Sequence, residues 1–166
     1  RTMKTHLLAA SVVALAIAGA GGGAALARPV AGEAAVSTPA AVDNFRLVDH
    51  TGFAHELRRL VDVKAIVLVS HVNGDKASRK SAAALEALKT KHPDFEFLML
   101  NATPGITRAA LAEEAKAQGF TIPTLHDDLQ LIGAQRGLTH AGEAFVLEPK
   151  TLRVLYHGPV DASGAA

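Results

Sequence analysis

Residues 65–88 constrain the fold of this chain more than any other stretch. Ala65-Ile-Val-Leu-Val-Ser70 is apolar and β-branched at almost every position, the pattern of a strand buried on both faces of a sheet. His71-Val-Asn-Gly-Asp75 is a short polar turn. From Lys76 the sequence reads as a helix running to His92, with Ala83, Leu85, Leu88 and their neighbours as its apolar face. Asn73 or Asp75 can cap it, and Pro93 stops it. A central strand feeding directly into a helix requires an α/β sheet covered by helices. It also sets a helix N-terminus, which favours an anion, at the strand's carboxyl end, and Asp75 stands there.

The flanking sequence fills in this architecture. Asn44-Phe-Arg-Leu-Val-Asp49 alternates apolar and polar, as a half-buried strand does, and His50-Thr-Gly52 is turn chemistry. Residues 56–61 read as a short helix or turn. Phe95-Glu-Phe-Leu-Met-Leu-Asn101 is the next strand. Thr107 can cap a helix to Gln118, with Gly119 as its stop. Residues 122–125 are a short extended piece, and Asp127 or Asp128 starts a helix through Arg136 that Gly137 ends. Residues 143–147 and 152–157 are strands joined by the turn Glu148-Pro-Lys-Thr151. The order is β, β-α-β, α, short strand, α, β-hairpin.

The first 42 residues lie outside this pattern. Met3-Lys4 and His6 precede an uncharged apolar run from Leu7 to Ala20. Gly21-Gly-Gly23 breaks the run, and Ala25-Leu-Ala27 gives a small-residue cleavage site before Arg28. Residues 1–27 read as a secretory signal peptide, so the protein is expected to be exported to a periplasm or secreted. A membrane contact is expected only through an uncleaved signal segment. Residues 28–42, rich in Ala, Pro, Gly and Ser, read as a flexible linker. The folded domain is read as 43–161, with 162–166 as a tail. The sequence holds no cysteine, so an exported fold of this kind rests on packing without disulfides. Its 17 basic and 16 acidic residues are scattered, which excludes the basic stripe of a nucleic-acid binder. Aromatics are only 4% of the chain and tryptophan is absent, which argues against a stacking platform for bases.

These stretches, in this order, resemble the thioredoxin fold in its redoxin form, the peroxiredoxin-like AhpC/TSA family. Asn44-Phe-Arg-Leu-Val-Asp49 followed by Gly52 is similar to the redoxin entry strand. Residues 65–81 are similar to its active-site segment, with Asp75 in the position of the cysteine. Thr121-Ile-Pro-Thr-Leu-His-Asp-Asp128 resembles the element before the third helix. The most specific match joins residues 137–151 to Val154-Leu-Tyr-His-Gly-Pro-Val-Asp161. The resemblance implies a three-layer α/β fold with a mixed central sheet, and an antioxidant or thiol-disulfide oxidoreductase ancestry. Three departures stand out. Asp75 replaces the cysteine. Thr139-His-Ala-Gly-Glu143 lacks the proline that thioredoxins place beside the active site. The sequence reaches Ala166 without the helix that follows the last strand in redoxins. One sheet face is therefore expected to be partly bare, to be covered by the 28–42 linker, an uncleaved apolar N-terminus, a second copy of the chain or a protein partner.

A carboxylate cannot exchange with disulfides or reduce peroxide through a sulfenic acid, so no catalytic residue is expected and no cofactor is implied. Asp75 reads as a helix cap. The alternative is a Cu or Zn site from His71, Asp75 and His140, with Glu143 as a further donor. His140 stands nine residues before Pro149, a spacing that resembles the metal-binding histidine of the SCO-type copper proteins. His126-Asp127-Asp128 reads as a strand end followed by a cap, and Ser70, Ser78 and Ser81 have no paired base in the sequence pattern. The expected function is a non-catalytic binding or accessory module, with the metal protein as the alternative.

Overall fold

The computed structural model describes residues 41–136 and 140–160. The stretch read as a signal peptide, residues 28–40 of the stretch read as linker, the expected helix stop at Gly137 and the residues after Val160 lie outside the described residues.

Two short strands come first, β1 (Arg46–Val48) and β2 (Ala54–Glu56), paired antiparallel with Arg46 opposite Glu56. Asp49 builds the turn between them. Its Oδ1 accepts from the N–H and hydroxyl of Thr51 and from the N–H of Phe53, at 2.6–3.0 Å. A 3-10 turn, Leu57–Arg59, follows. The chain then runs through β3 (Ala65–Ser70), α1 (Lys76–Lys91), β4 (Phe95–Asn101), α2 (Arg108–Gln118), β5 (Thr124–His126), α3 (Leu131–Arg136), β6 (Glu143–Leu147) and β7 (Val154–Pro159).

The main sheet has the order β5-β4-β3-β6-β7. The neighbours β3–β4 and β4–β5 are parallel, while β6 runs antiparallel to both β3 and β7. Strand β3 is central and buried at all six positions, as its unbroken apolar run requires. Side chains alternate across the sheet. Ile66, Leu68, Leu98, Leu100, Phe145 and Leu147 form one core with Val42, Phe45, Leu57 and Leu152, and Ile132 of α3 packs on it. Val67, Val69, Phe97, Met99 and Ala144 form the other with Ala82 and Leu85 of α1 and with Ile122. Burial of each large member contributes about 1.5–3 kcal/mol.

The sequence reading differs from this fold in several places. Helix α3 begins at Leu131, several residues after Asp127. Asp127, only 2% exposed, still anchors it by accepting from the N–H groups of Leu131, Ile132 and Gly133 at 2.8–3.1 Å. The packed region also reaches back into the stretch read as linker. Val42 is 3% exposed and its N–H donates to the Leu152 carbonyl, while Ala41 bridges Arg153. Finally, the sheet face away from α1 is packed by Val42, Phe45 and Leu57 from the chain's own entry segment, Val42 being the end of the linker named among the possible covers. On β7, Leu155 and Tyr156 are about half exposed.

Candidate functional site at the strand-to-helix turn

The turn between β3 and α1 is held by several hydrogen bonds, although the Asn73 Oδ1 within it is buried without a partner among the described residues. The His71 N–H extends the β3–β4 ladder by donating to the Leu100 carbonyl. The Val72 N–H donates to the Ser78 hydroxyl at 2.9 Å. Gly74 adopts a φ of +79°, which glycine reaches without steric cost. The Asp75 carboxylate accepts from the Ser78 N–H at 2.7 Å and caps α1, as the sequence indicated. That N–H holds the Asp75 carboxyl below the usual carboxylate range, helped by the Ser78 hydroxyl, the Ala77 N–H and the nearby His71. Of the two candidate caps, Asn73 is not the one used.

A residue the sequence reading did not single out completes the turn. Glu114 of α2 is only 9% exposed. Its Oε1 accepts from the Gly74 N–H at 2.9 Å and from Arg79 Nε at 3.1 Å, and its Oε2 lies 3.1 Å from His71 Nε2. Burial pushes the Glu114 carboxyl up, but the bonds from Gly74, His71 and Arg79 together outweigh it and hold the group below its ordinary range. Glu114 therefore stays ionised and ties α2 to the turn. The signal was present: Leu111, Glu114 and Ala115 share one helical face, and an acid on a buried apolar stripe needs partners. The His71 ring also meets Phe120 edge-on.

On the other side, the loop before β6 is fastened to the end of β3. The Ser70 hydroxyl donates to the His140 carbonyl and accepts from the Glu143 N–H, while the Gly142 N–H donates to the Ser70 carbonyl at 3.0 Å. Between this loop, the turn and the segment after β4 lies a cleft of about 260 Å3, bordered by His71, Val72, Leu100, Thr103, Pro104 and His140. Its position at the carboxyl ends of parallel strands is where open α/β sheets bind ligands.

The structure brings His71 and His140 to one cleft but does not assemble the expected metal site. Among the described residues no group of three or more His, Asp or Glu side chains is placed to hold a metal ion. His71, Asp75 and His140 do not converge because two of them are committed elsewhere: Asp75 to the Ser78 N–H, and His71 Nε2 to Glu114. Glu143 is drawn away as well, with Oε1 2.8 Å from His157 Nε2 and the His157 ring stacked on Phe145. His126 Nε2 bonds the Ile106 carbonyl at 2.9 Å. Ser78 and Ser81 are buried, the former with its hydroxyl occupied by Val72.

No protein-family model matches the chain, and no curated protein does. Solved structures do. Peroxidoxin BcpB from Mycobacterium tuberculosis matches with a TM-score of 0.62 at 20% identity, over 73% of this chain and 84% of that one. A thiol-disulfide oxidoreductase from Bacteroides fragilis matches at 0.61 and 15% identity, over 71% and 89%. A secreted disulfide oxidoreductase of Mycobacterium tuberculosis, homologous to E. coli DsbE, matches at 0.56 and 14%, over 66% and 79%. The likeness shows the fold, the thioredoxin-like α/β fold of redoxins, here in a sequence without cysteine.

Proposed function

We propose that this chain is an exported, non-catalytic binding or accessory protein derived from the peroxiredoxin-like AhpC/TSA redoxins. One observation carries the reading: where the redoxin scaffold holds a reactive thiol, at the start of α1, the chain holds the Asp75 carboxylate, bonded to the Ser78 N–H as a structural cap. The site that supports binding is the cleft at the ends of β3 and β4, since its surroundings keep a fixed shape without thiol chemistry. A protein partner or a second copy is the expected occupant of the exposed β7 side, where Leu155 and Tyr156 stand out.

The test is turnover. The purified chain should neither consume hydrogen peroxide nor reduce insulin disulfides above a buffer blank, because both reactions need a sulfur nucleophile. Turnover in a preparation free of contaminating peroxidase refutes the reading. Export is tested separately. N-terminal sequencing of protein from the periplasm or medium should begin at Arg28, and recovery only of uncleaved protein inside the cell refutes it.

A further inference from the structure

Among the described residues the main sheet ends on β7, and the chain enters the structure beside that strand. Ala41, the first described residue, makes an isolated antiparallel bridge to Arg153, and the Val42 N–H donates to the Leu152 carbonyl at 2.9 Å. These contacts set a direction and a phase. Each step back from Ala41 along the linker is a step forward along β7, so Ala40 falls opposite Val154. Antiparallel pairs alternate between bonded and non-bonded. With Val42 and Leu152 as a bonded pair, the linker residues whose backbone groups would turn to β7 are Ala40, Thr38 and Val36, while those of Pro39 and Ser37 would turn away. Strand β7 has the matching phase. The Arg153 carbonyl accepts from the Glu148 N–H, so by the same alternation the Val154 N–H points away from β6, toward the place of Ala40. The irregular register between β6 and β7 at Val146 and Leu147 changes which β7 residue meets Thr38, not which linker residues face the strand. Pro39 thus falls where a missing N–H costs no ladder bond, and an edge strand is where a sheet admits proline.

We infer that residues 36–40 lie along β7 as a further antiparallel strand, so that the chain's own linker closes this edge of the sheet. Cleavage before Arg28 leaves the segment in place. With Pro39 in it, the new outer edge is a poor template for strand addition by another chain. A partner on the β7 side would then dock on the exposed side chains of Leu155 and Tyr156 and not by extending the sheet.

The experiment is amide hydrogen exchange followed by NMR on the isotope-labelled full chain. Protection of the Thr38 and Ala40 amides should exceed that of Ser37 by at least about tenfold, roughly the worth of one net hydrogen bond, and Val154 should be protected with them. Thr38→Pro removes an N–H turned to β7 and should abolish the protection of Ala40 and Val154, whereas Ser37→Pro, one place along, should leave both unchanged. Thr38 and Ala40 exchanging as fast as Ser37, or equal losses in the two proline variants, overturns the inference. So does protection of Val154 that grows with protein concentration while the linker amides stay fast, because a second copy then holds the edge.

Discussion

Replacing Glu114 by alanine tests whether one buried carboxylate holds the turn. In the native chain that carboxylate receives the Gly74 N–H, the His71 Nε2–H and Arg79 Nε, all within 3.1 Å. Its side chain is 7% exposed and that of His71 is 3% exposed, while Arg79 remains 44% exposed. Alanine leaves the buried His71 N–H without an acceptor at about 1–3 kcal/mol, whereas the Gly74 N–H and Arg79 are open to water and lose little. The expected loss is about 2–3 kcal/mol, still a sizeable share of the 5–15 kcal/mol that holds a typical domain. Urea unfolding at pH 7 should show a midpoint lowered by about 1 M with the slope unchanged. Arg79→Ala is the control and should cost no more than about 1 kcal/mol. Loss of stability in Glu114→Ala no larger than in Arg79→Ala refutes the argument. The pH dependence is a second check. Because the folded carboxyl sits below its ordinary value of 4.5, its contribution is present above that value and is lost as pH falls through it toward the depressed folded one. Between pH 5 and the acid limit the native protein should therefore lose stability more steeply than Glu114→Ala.

Asp75→Cys should give a thiol with a pKa below the ordinary cysteine value, because the freed Ser78 N–H and the helix end favour the thiolate; a cysteine inert to iodoacetamide at pH 7 in the folded protein counts against it. Asp75→Ala should lower the melting temperature and Asp75→Ser should restore most of it, because serine caps as well; equal effects would show that the cap bond is not what Asp75 contributes. Gly142→Ala should destabilise by about 1–3 kcal/mol, since its φ is +78° and the new Cβ would lie 2.6 Å from Ser81 Oγ; a change under about 0.5 kcal/mol in denaturant titration is incompatible with that fit. Asp127→Ala should cost about 2 kcal/mol and Asp127→Asn less, because only alanine removes every acceptor from the α3 amides; circular dichroism melts rank the two.

Much of this was legible because local rules and the tertiary structure agree. The stretch 65–70 could only be a central strand. Phe95–Asn101 and Arg108–Gln118 were bounded by signals strong enough to place their ends: the Thr107 hydroxyl accepts from Ala110, and Gly119 adopts the left-handed conformation expected of a helix stop. Strand β2 was missed because Ala54-His-Glu56 is too short and too polar to announce itself. It is a strand through its pairing with β1 and through Asp49, which meets His55 Nε2 at 2.8 Å. The start of α3 was misplaced because Asp127 is an anchor that sits several residues before the helix it holds. At the site, Asp75, His71 and the approach of the His140 loop were readable from order along the chain. Glu114 was readable only as an acid on the buried face of α2; its partners were not, because they lie 35 to 43 positions away and no local rule links them.

The turn also shows how a thioredoxin-like fold accommodates a carboxylate at the start of α1. A helix N-terminus favours negative charge and offers unpaired N–H groups, whichever side chain supplies the acceptor. A carboxylate satisfies that demand, and Asp75 does so by accepting from the Ser78 N–H. Glu114 goes further, since it fixes Gly74 and the His71 ring from a second helix and leaves the turn with no need to open. A reactive cysteine needs access and an unspent environment; here the Ser78 and Gly74 amides are both engaged.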